Sequence, residues 1–238
     1  RRMDLFLIRH GESANNAVTD LSKRVADPNL TDLGRQQAEQ LAAGLIEGRH
    51  LYPGEREQGK VLDRLYTSAM RRSLQTSAPT SAALNLPAAV WIDVHEMGGL
   101  WVTDPHTGEP VGATGVTPDQ LEQELPGAVF RDTEISDKGW WTGGQESPSA
   151  CQGRAIAVAA ELRAQATGTV FHERVGIVSH GDFISALLKA LLDGLPGPAV
   201  KYHLGNTGIS RLHLGGEGTV VHYVNRVDHL DDARWVSH

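Results

Sequence analysis

The 238-residue sequence predicts an α/β protein, a three-layer α/β/α sandwich with a mostly parallel central sheet. Short apolar runs alternate with stretches of helical spacing, which is the pattern of strands joined by crossover helices. Two of those runs end alike, in Ile8-Arg9-His10-Gly11 and in Val178-Ser179-His180-Gly181. If both strands are central and parallel, the two imidazoles meet at the carboxyl edge of the sheet, where open sheets bind ligands.

Asp4–Ile8 reads as the first buried strand. Thr31 is placed to cap a helix carrying Leu33, Ala38, Leu41, Ala42 and Leu45, which Gly48 ends. Leu65-Tyr66-Thr67 is a second strand, and Met70–Leu84 a second helix that Pro79 is expected to kink or shorten. Ala89–Val94 is expected as a third strand. Residues 97–146, rich in glycine and proline, read as a lid or insertion on a single domain spanning 1–238, with one short helix near Asp119–Leu125. Ser147-Pro148 opens a helix running to about Ala166. Val175–Val178 is the next strand and Ile184–Leu192 the next helix, which Gly194-Leu195-Pro196-Gly197-Pro198 terminates. Ile209–Leu214 and Thr219–Val224 alternate around a glycine-rich turn, a terminal hairpin.

Composition narrows the function. Hydrophobic residues at 40% and charged residues at 21% exclude disordered and fibrous classes. The one cysteine, Cys151, excludes a disulfide framework and a multi-thiolate zinc site, and Cys151-Gln152-Gly153-Arg154 is too short for a cysteine phosphatase loop. Leu5–Ile8 is too short for a signal segment or a membrane span, so the expectation is a cytoplasmic protein with no membrane association. The net charge of −7 argues against nucleic acid as a partner. That charge is uneven: from Glu96 to Ala150, ten carboxylates face only Arg131 and Lys138, giving −8.

The chemistry gathers at strand ends. The glycine after each histidine permits a sharp turn and exposes amide N–H groups. The third strand end, Tyr66-Thr67-Ser68, leads to Arg71 and Arg72 at a helix start, and both helix starts and arginine forks favour phosphate. Two histidines, two arginines and a helix start around one cleft suit phosphoryl transfer: a neutral imidazole attacks phosphorus while guanidinium groups balance the oxygens. This chemistry requires neither metal nor cofactor, and the expected ligand is a small-molecule phosphate ester.

These residues resemble the histidine phosphatase superfamily, in the branch that includes phosphoglycerate mutases. Leu7-Ile8-Arg9-His10-Gly11-Glu12-Ser13 with Asn16 matches its opening motif. Leu30-Thr31 with Gly34, Gln37 and Ala38 matches the next block, and Thr67–Arg72 with Thr76 the block carrying the second arginine. Gly143-Gly144-Gln145-Glu146-Ser147 resembles the Gly-Glu-Ser turn with one residue changed. Val178–Gly181 and Asn206-Thr207 match the late motifs. The resemblance implies a phosphoglycerate mutase-like fold, with His10 as the nucleophile that becomes a phosphohistidine. It implies that Arg9, Asn16, Arg72, His180 and Gly181 hold the phosphoryl group. Arg72 rather than Arg71 fits, because the arginine falls four positions after Ser68; Arg71 reads as a solvated neighbour. The general acid in this branch is a glutamate after the third strand, for which Glu96 fits best. Asp182, one residue later than the acid of the other branch, ranks below it.

Glu12 and Ser13 read as supporting residues, and the nine histidines other than His10 and His180 as surface or packing groups. His95-Glu96 is not a metalloprotease motif, since position 99 is glycine. No nucleotide loop ending in Lys-Ser/Thr is present, which argues against a kinase. Trp101, Trp140 and Trp141 either build a small core for the insertion or line the pocket mouth. The expected activity is that of a metal-independent, histidine acid-type phosphomonoesterase working on the acidic-to-neutral side. A mutase reading would need extra cations for its bisphosphate, which the −8 stretch disfavours. A silent phospho-ligand or protein-binding relative would be expected to have lost at least one of these groups. Oligomeric state is left open.

Overall fold

The computed structural model describes residues 2–57, 60–168 and 171–238. Seven strands form one sheet: β1 (Arg2–Arg9), β2 (Arg64–Thr67), β3 (Ala88–Val90), β6 (Val129–Phe130), β7 (His172–Ser179), β8 (Ile209–Gly215) and β9 (Gly218–Arg226). Their spatial order is β6-β3-β2-β7-β1-β8-β9. The first five in that order are parallel and the terminal hairpin is antiparallel.

Strand β1 explains the layers. Its residues alternate between faces: Met3, Leu5 and Leu7 pack with α5 (Pro148–Gly168) and α6 (Gly181–Leu191). Phe6 and Ile8 pack with α2 (Asp32–Ile46) and α3 (Arg71–Leu84) on the opposite face. A strand buried on both faces must be apolar at nearly every position, as Leu5-Phe6-Leu7-Ile8 is. Thr31 caps α2 as expected, its Oγ1 accepting the Gly34 N–H at 3.0 Å.

Three expectations need correction. Pro79 does not shorten α3, which runs 14 residues through it to an Asn85 cap at φ 48°. Leu74, Thr80 and Ser81 are buried on either side, so tertiary packing outweighs one lost backbone bond. The strand expected over Ala89–Val94 stops at Val90 and becomes a tight turn over Ile92–Val94. Trp91 and Val94 are both buried in one core cluster while Asp93 between them is exposed, a spacing of three that a strand cannot produce. The stretch 97–146 is also not wholly an insertion. It carries a ribbon of β4 (Trp101–Thr103) and β5 (Pro110–Gly112) and the expected helix, α4 (Pro118–Glu124), but its β6 joins the central sheet beside β3. The remaining helix, α1, is a single turn over Ala14–Ala17.

Candidate active site

Strands β1, β2 and β7 lie side by side and end together, so His10, Ser68 and His180 come to one place. The His10 N–H donates to the Ser179 carbonyl at 2.9 Å, and the Ser68 N–H to Val178 at 3.1 Å, which ties the three strand ends. Gly11 has no room for a side chain: a Cβ there would sit 2.6 Å from the Gly34 carbonyl. Gly34 is equally confined, 2.0 Å from the Glu12 carbonyl by the same measure. The two glycines let the start of α2 press against the loop after β1.

His10 is 2% exposed and its protonation is set by its neighbours. Nδ1 lies 2.6 Å from the Gly11 carbonyl, which can only accept, and Nε2 faces Arg72 Nε–H at 3.1 Å, which can only donate. The proton therefore sits on Nδ1, and Nε2 presents its lone pair. Burial, then the charges of Arg72 and Arg9, hold the imidazole well below its usual value of 6.5.

His180 is fully buried, its ring centroid 5.1 Å from that of His10. Its Nε2 is 2.7 Å from Ser68 Oγ and 3.1 Å from Ser73 Oγ. Ser68 Oγ accepts the Met70 N–H, so its own proton is free for His180 Nε2. That leaves the proton on His180 Nδ1, which is buried without a partner among the described residues. Arg9, at the end of β1, donates through Nη1 to the Leu204 carbonyl, while its Nε is likewise buried and unpartnered. Burial presses both Arg9 and Arg72 below the usual guanidinium value, and Glu96 acts against that shift in each.

Glu96 is anchored at the start of α6. Its Oε1 accepts the N–H groups of Phe183 (2.9 Å) and Met97 (2.8 Å), and its Oε2 that of Asp182 (3.3 Å). These bonds and Arg72 favour the anion, but burial and the charge of Asp182 outweigh them and raise the carboxyl above its usual 4.5. Asp182 itself points away to Lys201, 2.5 Å from its Nζ.

Asn16 sits one turn from the histidine loop, its Oδ1 accepting from Ser13 N and Oγ at 3.0 and 2.9 Å. Arg71 is not a solvated neighbour. Its Nη1 meets Glu124 of α4 at 2.5 Å and its N–H donates to Asp27 Oδ1, so it fastens α4 to α3. Glu12 and Ser13 are supports: Glu12 accepts from Thr31 Oγ1 and donates its N–H to Gln37, and Ser13 bridges to Leu30. Trp140 and Trp141 pack. Trp141 stacks near His95 (4.8 Å) and Trp140 (5.9 Å), and its Nε1 donates to the Gly144 carbonyl at 2.7 Å. Position 99 accepts only glycine because a Cβ would fall 2.2 Å from Trp141.

Asn206, Thr207 and Thr76 match motif positions, but the contacts they make were not readable from sequence. Asn206 Nδ2 donates to the His10 carbonyl at 3.0 Å, and Thr207, buried at φ 58°, donates its N–H to the carbonyls of Arg9 and His10. A threonine held in the left-handed region marks a position fixed by its surroundings, but sequence does not display φ. Thr76 Oγ1 accepts the Gly11 N–H and donates to the Arg72 carbonyl, joining the two loops. Ser73 has no signal except adjacency to Arg72.

The carboxyl edge of the sheet thus gathers a neutral imidazole with its Nε2 unprotonated and two buried donors, Arg9 Nε and His180 Nδ1, without partners among the described residues. The chain belongs to the histidine phosphatase superfamily (branch 1), whose family model matches residues 5–227. It is similar in structure to a mutant of phosphoserine phosphatase from Entamoeba histolytica in complex with phosphoserine (23% identity, 96% of this chain and 99% of that one, TM-score 0.59). It is also similar to a mycobacterial hydrolase (24%, 95% and 99%, 0.61) and to mycobacterial glucosyl-3-phosphoglycerate phosphatase (23%, 94% and 99%, 0.58). No curated protein matches the sequence. Among the described residues, no helix is long and apolar enough to cross a membrane.

Proposed function

We propose that the protein is a phosphomonoesterase that works through a phosphohistidine at His10. The observation that carries this reading is the pairing of one buried acceptor, His10 Nε2, held by the Arg72 guanidinium, with two buried donors that lack a partner among the described residues, Arg9 Nε and His180 Nδ1. Nε2 attacks phosphorus as the ester P–O bond breaks, and Arg9, Arg72, His180, Asn16 and the Gly181 N–H hold the oxygens. Glu96 delivers its proton to the leaving alkoxide. Water then attacks the phosphohistidine, returning a proton to Glu96 and releasing phosphate and free His10.

Charge arithmetic supports a substrate with a single phosphate. Among the described cations around the cleft, Arg71 is matched by Glu124, Lys201 by Asp182 and Arg154 by Glu146. Arg9 and Arg72 remain for the phosphoryl group, enough for one dianion and not for the bisphosphate of a mutase. The two structural relatives named above as phosphatases suggest phosphoserine and glucosyl-3-phosphoglycerate as first substrates to try.

The test is phosphate release from p-nitrophenyl phosphate with and without EDTA, alongside His10→Ala. Turnover that resists EDTA and vanishes in the variant is expected. Turnover that survives in the variant, or none in the unaltered protein with all three esters, would overturn the reading.

A further inference from the structure

The opposite end of the sheet carries a second cluster that the phosphatase reading leaves unused. Asp4 near the start of β1, His172 at the start of β7 and His213 near the end of β8 are brought together by strand pairing: Asp4 is directly across from His213. His172 Nε2 is 3.2 Å from Asp4 Oδ2, and His213 Nδ1 is 2.9 Å from Asp4 Oδ1. All three ligand atoms lie within 4.8 Å of one another. A tetrahedral ion with bonds near 2.0–2.1 Å sets its ligand atoms about 3.3 Å apart, so a small rotation of each ring would close the set.

The surroundings suit a cation. Asp4 is 2% exposed at the floor, while the His172 and His213 side chains are 45% and 23% exposed, which opens the site to solvent. Arg211 holds Asp4 Oδ2 from behind at 2.6 Å and is itself matched by both oxygens of Glu55. Asp4 is thus oriented by an outer partner whose charge is already balanced, leaving the cluster with one net negative charge.

We infer that Asp4, His172 and His213 form a site for a zinc-class divalent cation with an open fourth position, clasping β1, β7 and β8. From Asp4 to His10 is six residues of extended chain, roughly 20 Å, so the ion joins strands and takes no part in chemistry at His10.

The test uses the untagged full chain, Zn²⁺ titration by calorimetry and the visible spectrum of Co²⁺. One equivalent of Zn²⁺ should bind, Co²⁺ should give tetrahedral absorption bands, and Zn²⁺ should raise the melting temperature. His172→Gln and His213→Gln should each weaken binding at least about tenfold while keeping the circular dichroism of the parent. His203 and His238, 3.2 Å apart elsewhere on the surface, are the internal control. Binding that survives both variants, that disappears in His203→Gln, or that is absent from the unaltered protein would overturn the inference.

Discussion

Arg72 Nε donates to His10 Nε2 across 3.1 Å, so the guanidinium keeps that ring nitrogen free of a proton. A lysine can offer charge here but neither the planar fork nor the fixed direction. Arg72→Lys should therefore lower kcat by about a hundredfold or more. Steady-state kinetics on p-nitrophenyl phosphate checks this; a change of only a few fold would mean that Arg72 acts by charge alone.

Glu96 is held above its usual carboxyl value by burial and by Asp182, and the depressed His10 stays neutral well below pH 6.5. Activity should show no fall on the acid side near pH 6.5, and should decline as pH rises through the elevated Glu96 value. Glu96→Gln should lose about 10²–10⁴ in kcat on alkyl phosphates, whose alkoxide needs a proton. It should lose far less on p-nitrophenyl phosphate, whose leaving group does not. Equal losses on both would remove Glu96 from the acid role.

His50, His95 and His229 are buried, and desolvation above all lowers each to about 4 from 6.5. The unfolded chain therefore takes up protons below pH 6.5 that the folded one refuses. Each group contributes stability that is present above pH 6.5 and lost as pH falls toward 4, on the order of 3 kcal/mol apiece. Melting temperature should fall steeply between pH 6.5 and 4.5. A flat profile by scanning calorimetry in that window would contradict this account of the three rings.

Arg71 holds α4 through Glu124, and Gln75 grips the same carboxylate from the next turn of α3 at 2.8 Å. Arg71→Ala should loosen Pro118–Glu124 with little effect on the strands beneath. Hydrogen exchange should speed several fold at the amides of α4 alone, with KM rising more than kcat falls. Uniform acceleration across the chain would mean that Arg71 supports the whole fold.

Where periodicity and sterics speak locally, the sequence was readable. The double-sided burial of β1 appears as an unbroken apolar run, and the cap at Thr31 as a threonine before a helical pattern. The pairing of His10 with His180 followed from two strand ends of one kind. What stayed hidden depends on contacts between distant segments. The turn at Ile92–Val94 exists because Trp91 and Val94 share one core, and β6 because Val129 and Phe130 find the free edge of β3. The capture of Glu96 by the first N–H groups of α6 joins residues 86 and 87 positions apart, and no local pattern announces it. Arg71 looked solvent-facing because its partner lies in the segment that resisted reading.

Asn206, which holds the His10 carbonyl, is itself held by the far end of the chain: its N–H donates to the Ser237 carbonyl at 2.9 Å, and Ser237 Oγ donates to its Oδ1 at 3.0 Å. Gln37 reaches the same tail, donating to the Trp235 carbonyl at 2.7 Å and to Ser237 Oγ at 2.8 Å. The loop that carries His10 thus receives a brace from position 237. On the ribosome, a nascent chain that has already threaded β1 and β7 together would still lack this brace. In a growing chain the histidine loop would gain this brace only once Ser237 had been made.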